Sequence, residues 1–302
     1  MKPGPISRLA LGTVQFGLAY GLAAGHQQVV PSEIEPILSA ARQAGITVLD
    51  TAASYGESES VLGASVSSQN FEVISKSLPI RQPVLTADHL DQIKAAFVQT
   101  LAKLGRTHLE GLLVHDAQDL LAQGGDALWN WMDGLKRQGV VSRIGISVYS
   151  SETARLLAGR YGVDIVQIPF NLFDQRIVQD GFLDFCRSRS IAVHARSIFL
   201  QGVALMQAAD LPATLSGLRP NLERLQALAR STERSAADLA LAYVAQRPEI
   251  EQIVVGVHNA AQLAQLVEAW QGLEGLEAEA IAWDGLHCVD ERLVDPRMWT
   301  RK

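Results

Sequence analysis

The 302-residue sequence predicts an α/β protein closed into a (β/α)8 TIM barrel, and three observations carry that expectation. Short β-branched, apolar runs occur eight times. Most are followed by a stretch of helical period. No Gly-rich dinucleotide fingerprint follows the first run, where "LALGTVQFGLAYG" is not GxGxxG, so the doubly wound open sheet is the weaker alternative.

Taken in order, the expected strands are Arg8 to Leu11, Thr47 to Leu49, Phe71 to Ile74, Leu109 to Val114, Ser142 to Ile146, Ile165 to Ile168, Ile191 to Ala195 and Gln252 to Val255. Between them, helical patterns cover Ser32 to Ala44, Glu57 to Val66, Asp88 to Leu104, Ala127 to Gln138, Glu152 to Tyr161, Gln179 to Arg189 and Leu222 to Gln246, with Ala260 to Trp270 after the last strand. Ser32 and Thr86 are expected N-caps, because a side-chain oxygen there can accept from a free first-turn N–H. Gly45, Gly105 and Gly139 stand where helices should end. No Ser- or Pro-rich linker divides the chain, so residues 1–302 are expected to form one domain. Two segments fall outside the eight units and are expected to cover an end of the barrel: "FGLAYGLAAGHQQVV" after the first strand, and the tail from Leu286 to Lys302. The connection over 200–220 is long enough to act as a lid or cofactor clamp.

Hydrophobic residues make up 48% and charged residues 19%, a globular balance with ample material for a core. A net charge of −6 offers no broad attraction to phosphate backbones or anionic lipid, so neither nucleic acid nor membrane is an expected partner. No signal peptide and no membrane-spanning run is visible, and a cytoplasmic location is expected. Cys186 and Cys288 are far apart and read as free thiols. His108, His115 and His194 have no ligand-like spacing to carboxylates or thiols, so no metal is expected.

In a barrel of this kind the chemistry sits at the C-terminal ends of the strands. Those ends carry Asp50 and Tyr55 after strand two, Lys76 after strand three and His115 after strand four. A phenol is a weak acid at neutral pH. A nearby ammonium lowers its pKa, a carboxylate can hold that ammonium, and an imidazole can orient a carbonyl oxygen beside the phenol. Singly, each residue has a plainer explanation as a turn, rim or strand-end residue. Four complementary groups at three successive strand ends are harder to attribute to chance.

"LGTVQFG", "GITVLDTAASYGESESVLG", "VISKS", "LLVHD", "RIGISVYS", "VQIPFNLFD" and "VVGVHNAAQL" occur in an order that resembles the aldo-keto reductase superfamily over most of residues 8 to 270, in the style of its bacterial members. That resemblance implies NAD(P)H-dependent reduction of an aldehyde or ketone, sugar-like hydroxy-carbonyl compounds among the candidates, with a small-molecule carbonyl as partner. It places the catalytic tetrad on Asp50, Tyr55, Lys76 and His115, with Tyr55 as general acid, Lys76 tuning it, Asp50 anchoring Lys76 and His115 positioning the substrate oxygen. It also implies cofactor contacts. Ser147 and Gln167 would hold the nicotinamide carboxamide, and Gly12, Thr13 and Asp50 would line the same crevice. Ser197, Phe199 and Gln201 would meet the diphosphate, and the stretch from Gly256 to Gln265, with His258 and Gln262, the adenosine end.

The sequence departs from the family pattern at three places. Val148 stands where many members have Asn. Arg196 replaces an aromatic that stacks on the nicotinamide, and its guanidinium could stack there or bind an anionic substrate. Gly256 and Gln262 stand where NADPH users have Lys and Arg, which weakens the expected discrimination between NADPH and NADH. Trp129, Trp131 and Trp299 are pocket-rim candidates, the first two being better suited to helix packing. Two rival functions stay open at this point: a Schiff-base barrel lyase or isomerase using the Lys76 amine, and a nucleotide-binding regulatory subunit with little turnover.

Overall fold

The computed structural model describes residues 4–22, 27–276 and 281–299. Within them, eight parallel strands close in sequence order into a barrel. They are β1 (Leu9–Gly12), β2 (Val48–Asp50), β3 (Glu72–Lys76), β4 (Leu109–Val114), β5 (Val141–Ser147), β6 (Ile165–Pro169), β7 (Ala192–Arg196) and β8 (Ile250–Gly256). β8 pairs back onto β1, with Gly12 opposite Gly256, so neither strand is left with an open edge.

Side chains on a strand alternate between its two faces, and the barrel sorts them accordingly. The outward residues join a large core under the helices, including Leu9, Leu11, Leu49, Val73, Leu112 and Val166. The inward ones form a smaller apolar layer of Ala10, Val48, Ile74, Leu113 and Ile165, with Val254 against it. Two residues further along the same strands stand Gly12, Asp50, Lys76, His115, Gln167 and Gly256. The polar groups at the barrel mouth are thus the next inward rung above an apolar plug.

Local signals account for most helix ends. Thr86 caps the helix Ala87–Leu104 by accepting from His89 N–H, and the His89 ring returns a bond to the Thr86 N–H. Gly45, Gly105 and Gly139 all take positive φ where helices stop. Ser32 is not a cap, because Pro31 begins the helix Pro31–Ala44 and Val30 holds the cap position. The single helix expected over 222–246 is two, Arg219–Thr232 and Ala236–Ala245. Glu233 turns left-handed at φ 53°, and Ser235 and Asp238 form a capping box that restarts the chain. The expected Gln179–Arg189 helix shortens to Phe182–Ser188, behind Gly181 at φ 71°.

Trp129 stacks on Tyr161 and Trp131 meets Phe97 edge to face, so both pack between helices rather than at a pocket rim. At the N-terminal end of the barrel, Arg143 pairs with Glu110 and Glu251, and Glu251 also meets His194. Arg8 donates to the carbonyls of Ala245, Arg247 and Ile250 and ties the start of the chain to β8. The loop after β1 and the C-terminal tail both extend past the described residues, at 23–26 and 300–302. No described helix is long and apolar enough to cross a membrane.

Candidate active site

Asp50 ends β2 facing inward, only 5% exposed, and both its oxygens are occupied. Lys76 Nζ donates to Oδ1 at 2.6 Å, and Gln167 Nε2 donates to Oδ2 at 2.6 Å. Because a carboxylate only accepts, the amide of Gln167 must turn its NH2 toward Asp50, which leaves Oε1 as its free end. Lys76 gives a second hydrogen bond to the Thr51 carbonyl at 2.9 Å. Burial pulls the Lys76 ammonium down in pKa, against the opposing pull of Asp50.

Tyr55 follows on the loop after β2, with the Lys76 ammonium 5.1 Å from its ring centroid. Its phenol is pushed up rather than down, first by burial and then by Asp50, while Arg196 draws it back. The lowering expected from Lys76 does not appear, because burial dominates and Asp50 adds to it. Tyr55 is therefore a protonated donor in this structure. His115 meets the Tyr55 ring edge to face at 5.7 Å. Burial, followed by the charges of Lys76 and Arg196, lowers the imidazole to about 3, so the ring is neutral at ordinary pH. Its Nδ1 lies 3.1 Å from Ser54 Oγ. If Ser54 donates there, Nε2 carries the proton and can offer it to an oxygen.

A cavity of about 880 Å³ opens in front of these groups and has Gly12, Thr13, Asp50 and Tyr55 in its wall. It continues past Arg196, Ser197, Phe199 and Gln201 to Gly256, His258, Gln262 and Gln265. Lys76, His115, Ser147 and Gln167 stay out of that wall; Ser147 is paired in register with Gln167. The Thr13 hydroxyl is committed to the protein, donating to the Asp50 carbonyl and accepting from Ser58. Arg196 donates to the Val148 carbonyl at 3.1 Å and lies over the Tyr149 ring at 4.1 Å.

Loops close over the cavity from two sides. Ser197, Leu200, Gln201 and Gly202 all have positive φ, so the chain after β7 is tightly coiled. The Leu22 N–H donates to the Gln201 carbonyl at 2.8 Å, and Gln201 Nε2 donates to the Tyr20 hydroxyl at 3.2 Å. These bonds make a strap between the β1 and β7 loops. At the far end, Gln262 Oε1 accepts from the His258 N–H at 2.8 Å, and Arg234, Asp238 and Glu268 also line the wall.

Several features suit a bound dinucleotide. The cavity wall runs from the polar strand ends at Asp50 and Tyr55 to residues 256–272. Gln15 Oε1 and His258 Nε2 are buried in its wall without hydrogen-bond partners among the described residues. A Cβ on Gly256 would lie 2.3 Å from the Gln15 amide, so glycine there is what lets Gln15 reach the cavity.

The sequence model of the Aldo/keto reductase family matches residues 8–282. The chain belongs to this family. An uncharacterised oxidoreductase of Mycobacterium tuberculosis strain H37Rv is 26% identical over 287 residues, 87% of this chain and 83% of that protein. Protein REDOX 2 of Catharanthus roseus is 26% identical over 249 residues, 75% of this chain and 73% of that protein. A protein of Gibberella moniliformis named aldo-keto reductase is 30% identical over 168 residues, and that match spans 53% of this chain and 50% of the fungal protein. Among solved structures, aldo-keto reductase AKR11C1 of Bacillus halodurans in its holo form superposes with a TM-score of 0.68 at 18% identity, over 87% of this chain and 86% of that one. The Pseudomonas aeruginosa protein PA4992 gives 0.64 at 21%, over 88% and 90%. These two share the barrel fold, and membership of the aldo/keto reductase family makes this chain an oxidoreductase.

Among the residues that sequence reasoning missed at this aldo/keto reductase cavity or its rim, four stand out. Gln15 lies on the short turn Val14–Gly17, Tyr20 under the strap, Tyr149 under Arg196, and Arg234 in the break between two helices. The capping pair Ser235 and Asp238 was the available signal for Arg234, since it marks that break.

Proposed function

We propose that the protein is an NAD(P)H-dependent carbonyl reductase that converts an aldehyde or ketone to an alcohol with Tyr55 as general acid. The juxtaposition of Tyr55 with Lys76, Asp50 and His115 at the cavity mouth carries this reading. When bound, the reduced nicotinamide supplies a hydride to the carbonyl carbon and leaves oxidised.

The carbonyl oxygen would accept from the Tyr55 hydroxyl and from His115, which is neutral and can donate without adding a charge. As negative charge develops on that oxygen, the Tyr55 proton moves to it. The Lys76 ammonium then faces the phenolate left behind. Asp50 keeps Lys76 in place, and Gln167 keeps Asp50 in place. General acid catalysis of this kind is worth about 10²–10⁴ in rate, and positioning must supply much of the remainder. The imine route has less support, because Lys76 is 2% exposed and committed to Asp50 and the Thr51 carbonyl.

Gln15, Gln167 and Ser147 would hold the carboxamide end of the cofactor, the Ser197–Gln201 loop its diphosphate, and His258, Gln262 and Gln265 its adenosine. Discrimination between NADPH and NADH should be weak. Gln262 is turned back onto its own loop, and the wall that carries Arg234 also carries the carboxylates Glu268 and Asp238, which oppose a 2′-phosphate.

The test is quenching of tryptophan fluorescence by each nucleotide, followed by loss of reduced-nicotinamide absorbance with a carbonyl panel. Affinities within about tenfold of each other and turnover of at least one carbonyl are expected. Tyr55→Phe should still bind nucleotide while losing about 10²-fold or more in kcat. Retained turnover in that variant would remove Tyr55 from the acid role.

A further inference from the structure

Arg81 and Arg196 both act on His115, Arg297 shares the Tyr149 ring with Arg196, and two of these three guanidiniums are paired with carboxylates. Arg81 pairs with Asp116 at 2.9 Å and Arg297, in the tail, with Asp295 at 2.5 Å. Arg196 pairs with no carboxylate among the described residues. Its contacts are the Val148 carbonyl, the Ser197 hydroxyl at 3.4 Å and the face of Tyr149. Arg297 lies over the same Tyr149 ring at 3.7 Å, so one aromatic carries two guanidiniums.

A partly buried cation without a counter-charge is unfavourable, and stacking on a phenol ring offsets only part of that cost. The arrangement is unusual in a chain whose net charge is −6. Arg196 also shares its cavity with Tyr55, and its charge draws down the pKa of both Tyr55 and His115. Its planar fork is the side chain best suited to take a carboxylate with two parallel hydrogen bonds.

We infer that this reductase selects carbonyl compounds that carry a carboxylate, which Arg196 binds while the carbonyl faces Tyr55 and His115. The inference rests on the reductase reading above. The carboxylate is bound and released unchanged, and the reaction at the carbonyl is the one already given. Tyr149, braced by Arg297, holds the guanidinium plane in position.

The experiment compares kcat/KM for 4-carboxybenzaldehyde with that for 4-formylbenzamide, its neutral near-isostere, in the full-length protein with saturating nucleotide. A preference of about tenfold or more for the carboxylate is expected. Arg196→Gln should bring the ratio toward one, and Arg196→Lys should restore part of it through charge alone. A wild-type ratio of one or less overturns the inference without any variant. It is also overturned if Arg196→Gln weakens nucleotide binding and slows both aldehydes equally, which assigns the guanidinium to the cofactor diphosphate. If the wild type binds nucleotide but reduces neither aldehyde nor any neutral carbonyl of the panel, the reductase reading itself fails and takes the inference with it.

Discussion

Asp50 joins the electrostatics of the mouth to the stability of the barrel, because its two oxygens hold Lys76 and Gln167 from neighbouring and distant strands. Asp50→Asn would leave the Lys76 ammonium buried without its counter-charge, an arrangement that costs about 3–5 kcal/mol when one partner of a buried pair is removed. Denaturant unfolding should show a loss of that size together with lost turnover. A stability within experimental error of the wild type would mean that water or another group already satisfies Lys76. His115 makes a separate prediction about acid. Its pKa is about 3 in the folded chain against 6.5 for an ordinary imidazole, so between these values the unfolded chain binds a proton that the folded chain refuses. Stability must therefore rise with pH across that window and fall on acidification. Glu251, lowered to about 2 chiefly by its hydrogen bond with His194, extends the fall below pH 4.5. Thermal midpoints measured between pH 7 and pH 3 should show this slope, and His115→Gln should flatten its upper part.

At the level of elements, the helices Ser58–Ala64 and Ala87–Leu104 touch through Gly63, where an added Cβ would lie 1.8 Å from the Lys103 carbonyl oxygen. Gly63→Ala should therefore destabilise by about 1–3 kcal/mol, the usual penalty for overpacking. An unchanged melting temperature would show that the two helices can separate at no cost. The strands were legible in the sequence because β-branched runs buried on both faces have few other ways to fold. Asp50, Lys76 and His115 were legible for a related reason, each lying two residues beyond an apolar inward residue: Val48, Ile74 or Leu113. The break at Glu233 was harder to see, since neither Gly nor Pro marks it and a Glu at φ 53° is held by the flanking helices. Long-range partners left no local trace. Nothing near Ser54 announces His115, and nothing near Tyr149 announces Arg297 from the other end of the chain.

For the molecule as a whole, the strap between Leu22 and Gln201 concerns timing. A nucleotide bound beneath those two hydrogen bonds, as the proposed function requires, would not leave until they open. Products should then depart in a fixed order, alcohol first, with strap opening setting the pace of the cycle. While the oxidised nucleotide waits, a second carbonyl molecule can enter and stall the cycle. High substrate concentrations should therefore slow the wild type, and Gln201→Ala, which loses the Tyr20 bond, should release nucleotide faster and lift that inhibition. Equal substrate inhibition in both proteins would place the slow step elsewhere. If strap opening does set the pace, the strap trades maximal speed for a cofactor retained from binding through to the departure of the alcohol.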